Sequence, residues 1–263
     1  MLKRVPWVWP LLLIVGGTAL LLENFLLLDL NLAPYWPVLL IAAGAQLALR
    51  GDIGPSWQAH TFGITRGNVS SAALEVESGE LDVLLHSLHK PGRLIAGQYT
   101  ARSRPDLRVR HNHALLRMQR GQSWWLSLAD WDVGLATDLP WDVLLSGYLG
   151  HMEADLHDLP IERAMIASGF GNVSVVCPRE AGDVVFARST FGDVHLSVPA
   201  RSLALVRVHV GPLGRVRANR QAFRQVGQGI YVTTALAEAP EDVEATLYVV
   251  AGTTFGTVYI ASA

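Results

Sequence analysis

The sequence predicts a mainly β protein: an N-terminal two-helix transmembrane hairpin followed by a single-stranded, right-handed β-helix-like solenoid. Three observations carry that expectation. An apolar segment occurs twice within residues 1–50, glycines recur about every 21 residues in the second half of the chain, and apolar residues alternate after each of those glycines.

The repeated segment is Trp9 to Leu22, WPLLLIVGGTALLL, which returns as Trp36 to Leu49, WPVLLIAAGAQLAL, with eight of fourteen positions identical. With its flanks each copy is long enough to cross most of a roughly 30 Å hydrocarbon core at about 1.5 Å per residue. The nine leucines between Pro6 and Leu28, with Val8, Ile14, Val15 and Phe25, each favour insertion by about 0.3 to 0.6 kcal/mol. A cleaved signal peptide fits the basic start Lys3-Arg4, but no A-x-A site follows and a second apolar copy does. Residues 1–50 therefore read as a membrane hairpin.

Basic residues set its orientation. Lys3 and Arg4 precede the first span and Arg50 follows the second, while the connection carries only Glu23 and Asp29. The positive-inside rule then places both ends, and with them the C-terminal domain, in the cytoplasm of a multi-pass cell-membrane protein. Trp7, Trp9, Tyr35 and Trp36 fall at the two interfaces as aromatic anchors. Glu23 lies late in its span and reads as an interfacial acid rather than an intramembrane functional group. Gly16, Gly17, Gly44 and Ala48 are the candidate helix-packing interface: the small-xxx-small spacing of Gly44 and Ala48 lets a neighbouring helix approach closely.

Composition bounds the rest. A net charge of −2 over 263 residues gives no overall basic footprint for nucleic acid. Cys177 stands alone, so no intrachain disulfide can form. Residues 51–66, punctuated by Gly51, Gly54 and Pro55, read as a juxtamembrane linker, and 67–263 as the solenoid.

Within 67–263 the marker glycines are Gly150, Gly171, Gly192, Gly214 and Gly256, so one interval of 42 residues replaces the usual 21 or 22, as though one rung had lost its marker. Gly79 opens an earlier copy. A fixed period with short strands is the signature of a solenoid, here with two strands per rung. The alternation places Met152, Ala154 and Leu156, Val173 and Val175, Val194, Leu196 and Val198, Val216 and Ala218, and Val258 and Ile260 inward. About nine rungs at roughly 4.8 Å would make a stack about 40 Å long. An antiparallel sandwich is the competing architecture.

The tandem Trp-Pro-Leu-Leu-Leu-Ile-type repeat resembles the LiaF-like transmembrane region. The stretch LPWDVLLSGYLGHMEADLHDLPIERAMIASGFGNVSVVCP resembles the C-terminal "toastrack", or LiaF-like, domain of bacterial envelope-stress regulators. The resemblance implies a membrane-bound bacterial protein with a β-solenoid-like domain, associated with cell-envelope stress and often with a two-component kinase.

Candidates for chemistry are thin. His111 and His113 could form a metal pair and His86 and His89 another, but neither couple has a Cys or carboxylate at ligand spacing. The glycines of Gly16-Gly17-Thr18 and Ser168-Gly169-Phe170-Gly171 lack the Lys and helix of a phosphate loop. Asn68 and Asn172 open chance N-x-S triplets, and Cys177 reads as a buried structural thiol. No catalytic residue, cofactor site or metal site is expected, so the chain is read as a non-enzyme. Trp124, Trp125, Trp131 and Trp141 either fill or cap the stack or form a partner-facing or bilayer-facing patch; the structural role, filling or capping, is favoured.

Two functions from different classes remain. One is a membrane-anchored, non-enzymatic regulator or interaction protein that contacts the lipid bilayer and a membrane histidine kinase or related membrane protein, with no nucleic-acid partner. The other is an outward-facing structural or adhesive surface module.

Overall fold

The computed structural model describes residues 59–100, 105–120, 130–240 and 243–263. The expected transmembrane hairpin, with Gly16, Gly17, Gly44 and Ala48, and also Trp124 and Trp125, lie outside the described residues.

The strands in chain order are β1 (Ala59–Thr65), β2 (Ser71–Gly79), β3 (Asp82–Leu88), β4 (Arg93–Thr100), β5 (Asp106–Arg110), β6 (His113–Gln119), β7 (Asp130–Ala136), β8 (Trp141–Leu149), β9 (Met152–Asp155), β10 (Ile161–Phe170), β11 (Val173–Val176), β12 (Val185–Phe191), β13 (Val194–Val198), β14 (Ala204–Val210), β15 (Arg215–Ala218), β16 (Phe223–Gly227), β17 (Ile230–Thr233), β18 (Leu247–Phe255) and β19 (Thr257–Ser262). One short helix, α1 (Thr234–Ala237), follows β17.

These strands form two sheets. The first runs β1-β4-β7-β3-β9-β11-β13-β19-β15 and the second β16-β17-β14-β18-β12-β10-β8-β2-β6-β5. Seven rungs contribute one strand to each: β2 with β3, β6 with β7, β8 with β9, β10 with β11, β12 with β13, β14 with β15, and β18 with β19. Neighbouring rungs pair in parallel and in register, as in Val173↔Val194 and Val194↔Val258. The antiparallel sandwich does not describe this arrangement, because antiparallel pairing is confined to the strands outside the rungs and their immediate neighbours.

The rungs do not stack in sequence order. At one end β6 and β7 lie outside β2 and β3, which the chain lays down first. At the other end β18 and β19, laid down last, insert between the β12–β13 rung and the β14–β15 rung. This resolves the 42-residue interval. No rung has lost its glycine: the residues after β15 form the β16–β17 hairpin and α1, and the chain then returns to fill the slot beside Gly192. In place of the expected nine rungs, the described residues form seven, since part of the chain builds caps.

Inward positions carry the core. Met152, Ala154, Leu156, Val173, Val175, Val194, Leu196, Val198, Val258 and Ile260 are all buried, and Val216 and Ala218 pack partly buried against them because β15 is the last strand of its sheet. Each buried Val, Leu or Ile contributes about 1.5 to 3 kcal/mol on leaving water. A single rung is too thin to bury both its own faces, so this contribution depends on its neighbours. Trp131 and Trp141 are core residues with 0% and 1% exposure, and the Trp141 Nε1 donates to the Ala136 carbonyl at 2.8 Å. These two members of the tryptophan group therefore fill the stack.

The expected linker 51–66 is shorter than its composition suggested. Ala59–Thr65 form β1, antiparallel to β4, with Phe62 and Ile64 packed on the core. The alternation of Phe62 and Ile64 with Thr61 and Gly63 is a strand signal that the nearby glycines and polar residues obscured.

Candidate functional site

The corner where each rung passes from the second sheet to the first repeats a short pattern. It reads Ser168-Gly169-Phe170-Gly171-Asn172-Val173, then Ser189-Thr190-Phe191-Gly192-Asp193-Val194, then Thr253-Thr254-Phe255-Gly256-Thr257-Val258. Each position has a physical task. A Cβ built on Gly171 would collide with the Gly150 carbonyl oxygen, and one on Gly192 with that of Gly171, so stacked corners approach closely only without a side chain there. The hydroxyl three residues earlier satisfies the crowded carbonyl: Ser168 Oγ donates to Gly150 O at 3.0 Å, Ser189 Oγ to Gly171 O at 2.7 Å and Thr253 Oγ1 to Gly192 O at 2.8 Å.

A second column starts at Asp82 and then runs through the residue after each glycine. Asp82 Oδ1 accepts from the His151 N–H at 2.6 Å, His151 Nδ1 from the Asn172 N–H at 3.1 Å, Asn172 Oδ1 from the Asp193 N–H at 2.9 Å, and Asp193 Oδ1 from the Thr257 N–H at 2.7 Å. Backbone donors that the turn removes from the ladder are thus met by the rung below. At the Asp82 end, Asp130 stands opposite in register, and its carboxyl is raised above the usual range by burial first and by the Asp82 charge second.

These columns hold the residue before each glycine outward. Phe170 and Phe191 stack with centroids 4.6 Å apart and planes 3° apart, and Phe191 and Phe255 with centroids 4.6 Å and planes 7° apart. They are 53%, 42% and 42% exposed. Leu149 precedes Gly150 and pairs in register with Phe170, so the ridge reads Leu149, Phe170, Phe191, Phe255 across four adjacent rungs. At about 4.8 Å per rung it is roughly 14 Å long. Exposed Tyr148, next to Leu149, adds to its apolar surface. An ordered, solvent-facing run of aromatic rings is the kind of surface that marks a contact site. The signal is present in the sequence, because a large apolar residue precedes every marker glycine, but alternation assigns only the inward positions and does not tell an exposed ridge from ordinary turn residues.

The histidines separate into unrelated settings. His111 occupies the β5–β6 turn with φ 54°, whereas His113 opens β6 and its Nδ1 lies 2.9 Å from Ser71 Oγ. His86 Nε2 is 2.8 Å from Asp132 Oδ1, and His89 lies 3.9 Å from Asp158. Among the described residues no group of three or more His, Cys, Asp or Glu side chains is arranged to hold a metal ion. Cys177 is buried and free, and burial pushes its thiol up to about 12. On the outer face of the second sheet, Gly252 stands between Arg188 and His209 and leaves a depression where a side chain would be.

Residues 7–48 match the model of the LiaI-LiaF-like transmembrane region. Among the described residues no helix is long and apolar enough to cross a membrane. No curated protein matches the chain. Among solved structures, the "putative cell adhesion protein" of Clostridium sporogenes ATCC 15579 aligns with a TM-score of 0.67 and 17% identity over 78% of this chain and 99% of that one. At that identity the likeness shows a shared fold. A "putative adhesin" of Bacteroides fragilis NCTC 9343 aligns over 78% of this chain and 98% of that one, at 8% identity and a TM-score of 0.31, too low to carry an argument. The chain thus carries a LiaI-LiaF-like transmembrane region, residues 7–48, ahead of a β domain whose fold it shares with the clostridial protein.

Proposed function

We propose that the protein is a membrane-anchored, non-enzymatic regulator or interaction protein of a bacterial cell-envelope stress response, with its β domain in the cytoplasm and a membrane sensor kinase or other membrane protein as partner. The observation that carries this reading is the ridge of Phe170, Phe191 and Phe255. Their hydroxyl and glycine corners fix three aromatic rings in the solvent, so little side-chain entropy is lost when a partner covers them. The transmembrane region confines the domain near a membrane partner and raises its effective concentration there. The hairpin topology, both ends cytoplasmic, follows from the placement of Lys3, Arg4 and Arg50.

An outward-facing structural or adhesive module is the second reading, supported by the description of the clostridial protein that shares the fold as a "putative cell adhesion protein". Two measurements separate them. A reporter active only in the cytoplasm, fused after Ala263, gives signal if the first reading holds. Replacing Phe170, Phe191 and Phe255 together by Ala then changes an envelope-stress transcription reporter at unchanged membrane level. Signal from a reporter active only outside the cytoplasm overturns the regulator reading and leaves the surface module.

A further inference from the structure

The β14–β17 end of the stack differs in charge from the remainder. Residues 200–237 contain Arg201, Arg207, Arg215, Arg217, Arg220 and Arg224 and no Asp or Glu, although acids slightly outnumber bases over the whole chain. All six arginines are exposed, and none forms an ion pair among the described residues. Arg215 and Arg217 lie on β15, the last strand of the first sheet, and Arg224 lies on β16, the last strand of the second, so both sheets end in arginine.

Two aliphatic side chains project from the same end. Leu213 is 74% exposed in the turn between β14 and β15, and Val226 is 58% exposed near the tip of the β16–β17 hairpin. The pairing brings these turns together. Arg207 is in register with Ile230 and the Val208 N–H donates to the Gly229 carbonyl at 2.7 Å, so the hairpin tip lies beside the β14 end from which the Leu213 turn departs.

We propose that this end is a docking surface for an anionic lipid bilayer, with Leu213 and Val226 entering the interfacial region and the arginines lying at phosphate level. Aliphatic tips on the same end of the stack as six arginines without an ion pair match the layering of a headgroup region, in which charge lies above hydrocarbon. A nucleic-acid strand would use the arginines but gives exposed aliphatic tips nothing to enter. The transmembrane region in the same chain supplies a bilayer. This inference concerns the end of the stack and stands apart from the phenylalanine ridge, so either can fail alone.

The test uses the full chain in nanodiscs. Leu213→Cys is labelled with an environment-sensitive fluorophore, while buried Cys177 is left unlabelled, and spin-labelled lipid serves as quencher. Glu153→Cys, on the outer face of β9, is the control position. Nanodiscs hold phosphatidylcholine alone or with about a third phosphatidylglycerol, the anionic fraction being the variable that electrostatic docking reads. Expected is quenching at position 213 in the anionic discs, weak in the neutral ones, absent at position 153, and lost at high salt. Arg215→Glu, Arg220→Glu and Arg224→Glu together should reduce the quenched fraction by about tenfold or more, while Cys177 stays unreactive as evidence that the fold is kept. Equal quenching in both lipids, or none in either, overturns the proposal; none in either leaves the end free to meet a protein.

Discussion

Phe170 and Phe191, one 21-residue period apart, stack in the solvent with ring centroids 4.6 Å apart and planes 3° from parallel. The spacing is that of adjacent parallel strands, so the rings are in contact because the backbones beneath them are. Removing one ring should therefore disturb the surface more than the fold. Phe191→Ala loses two stacking contacts of about 0.5 to 1.5 kcal/mol each, partly offset because the ring is half in water already. The expected result is a small fall in melting temperature with a clear effect on the envelope-stress reporter; a collapse of the fold would show the ridge to be structural.

The two faces of β13 give a sharper contrast. Val194 is 0% exposed between Val173 and Val258, and Val194→Asp puts an unpaired carboxylate in the core at a cost of about 3 to 5 kcal/mol. The adjacent His195 faces outward and stacks on Tyr259 with centroids 4.6 Å apart. His195→Asp should cost only about 0.5 to 1.5 kcal/mol, the worth of that stack. Thermal denaturation of the two variants measures the difference, and equal losses would show the facing to be wrong.

Corner geometry predicts that Gly171→Ala is worse than its one added methyl suggests. Its φ of 148° disfavours a side chain, and the new Cβ would collide with the Gly150 carbonyl oxygen that Ser168 also contacts. A cost of about 3 kcal/mol or more is expected. Ser189→Ala, which only removes the donor to Gly171 O, should cost about 1 kcal/mol. Similar melting temperatures for these two variants would refute the close-approach account.

Cys177 supplies a pH test. Burial pushes its folded thiol up to about 12, above the ordinary thiol value of 9.0 that the unfolded chain shows. Below pH 9 both states hold the proton and the group leaves stability unchanged with pH. Between about 9 and 12 only the unfolded state ionises, so stability falls as pH rises. Cys177→Ala should lose that alkaline component, and in the native protein a thiol reagent should react at neutral pH only after unfolding. Rapid labelling of the folded protein would contradict the burial.

The membrane half has its own test. If Gly44 and Ala48 form a helix-packing face, Gly44→Leu keeps the segment apolar but blocks close approach. Membrane level should hold while co-purification of a membrane partner falls. Unchanged partner recovery would remove the packing face from the proposed function.

By itself the sequence determined the rung. Alternation after Gly150, Gly171, Gly192 and Gly256 identified the buried residues on β9, β11, β13 and β19, because side chains of an extended strand point alternately to its two faces whatever lies beyond it. The apolar repeat around Trp9 and Trp36 likewise identified the transmembrane region, since insertion depends on summed hydrophobicity. Only the tertiary structure decided the order in which rungs stack. A strand ending in Gly192 can pair as well with one ending in Gly214 as with one ending in Gly256, and nothing local distinguishes them. The choice fell to the β16–β17 hairpin, whose β17 pairs onto β14 and leaves the β14–β15 rung at the end. The same placement gathered six arginines, scattered over twenty-four residues, onto one end, and aligned residues from 149 to 255 into one apolar ridge. Both surfaces exist because strands far apart in sequence become neighbours about 4.8 Å apart, a relation that pairing creates and local composition does not record.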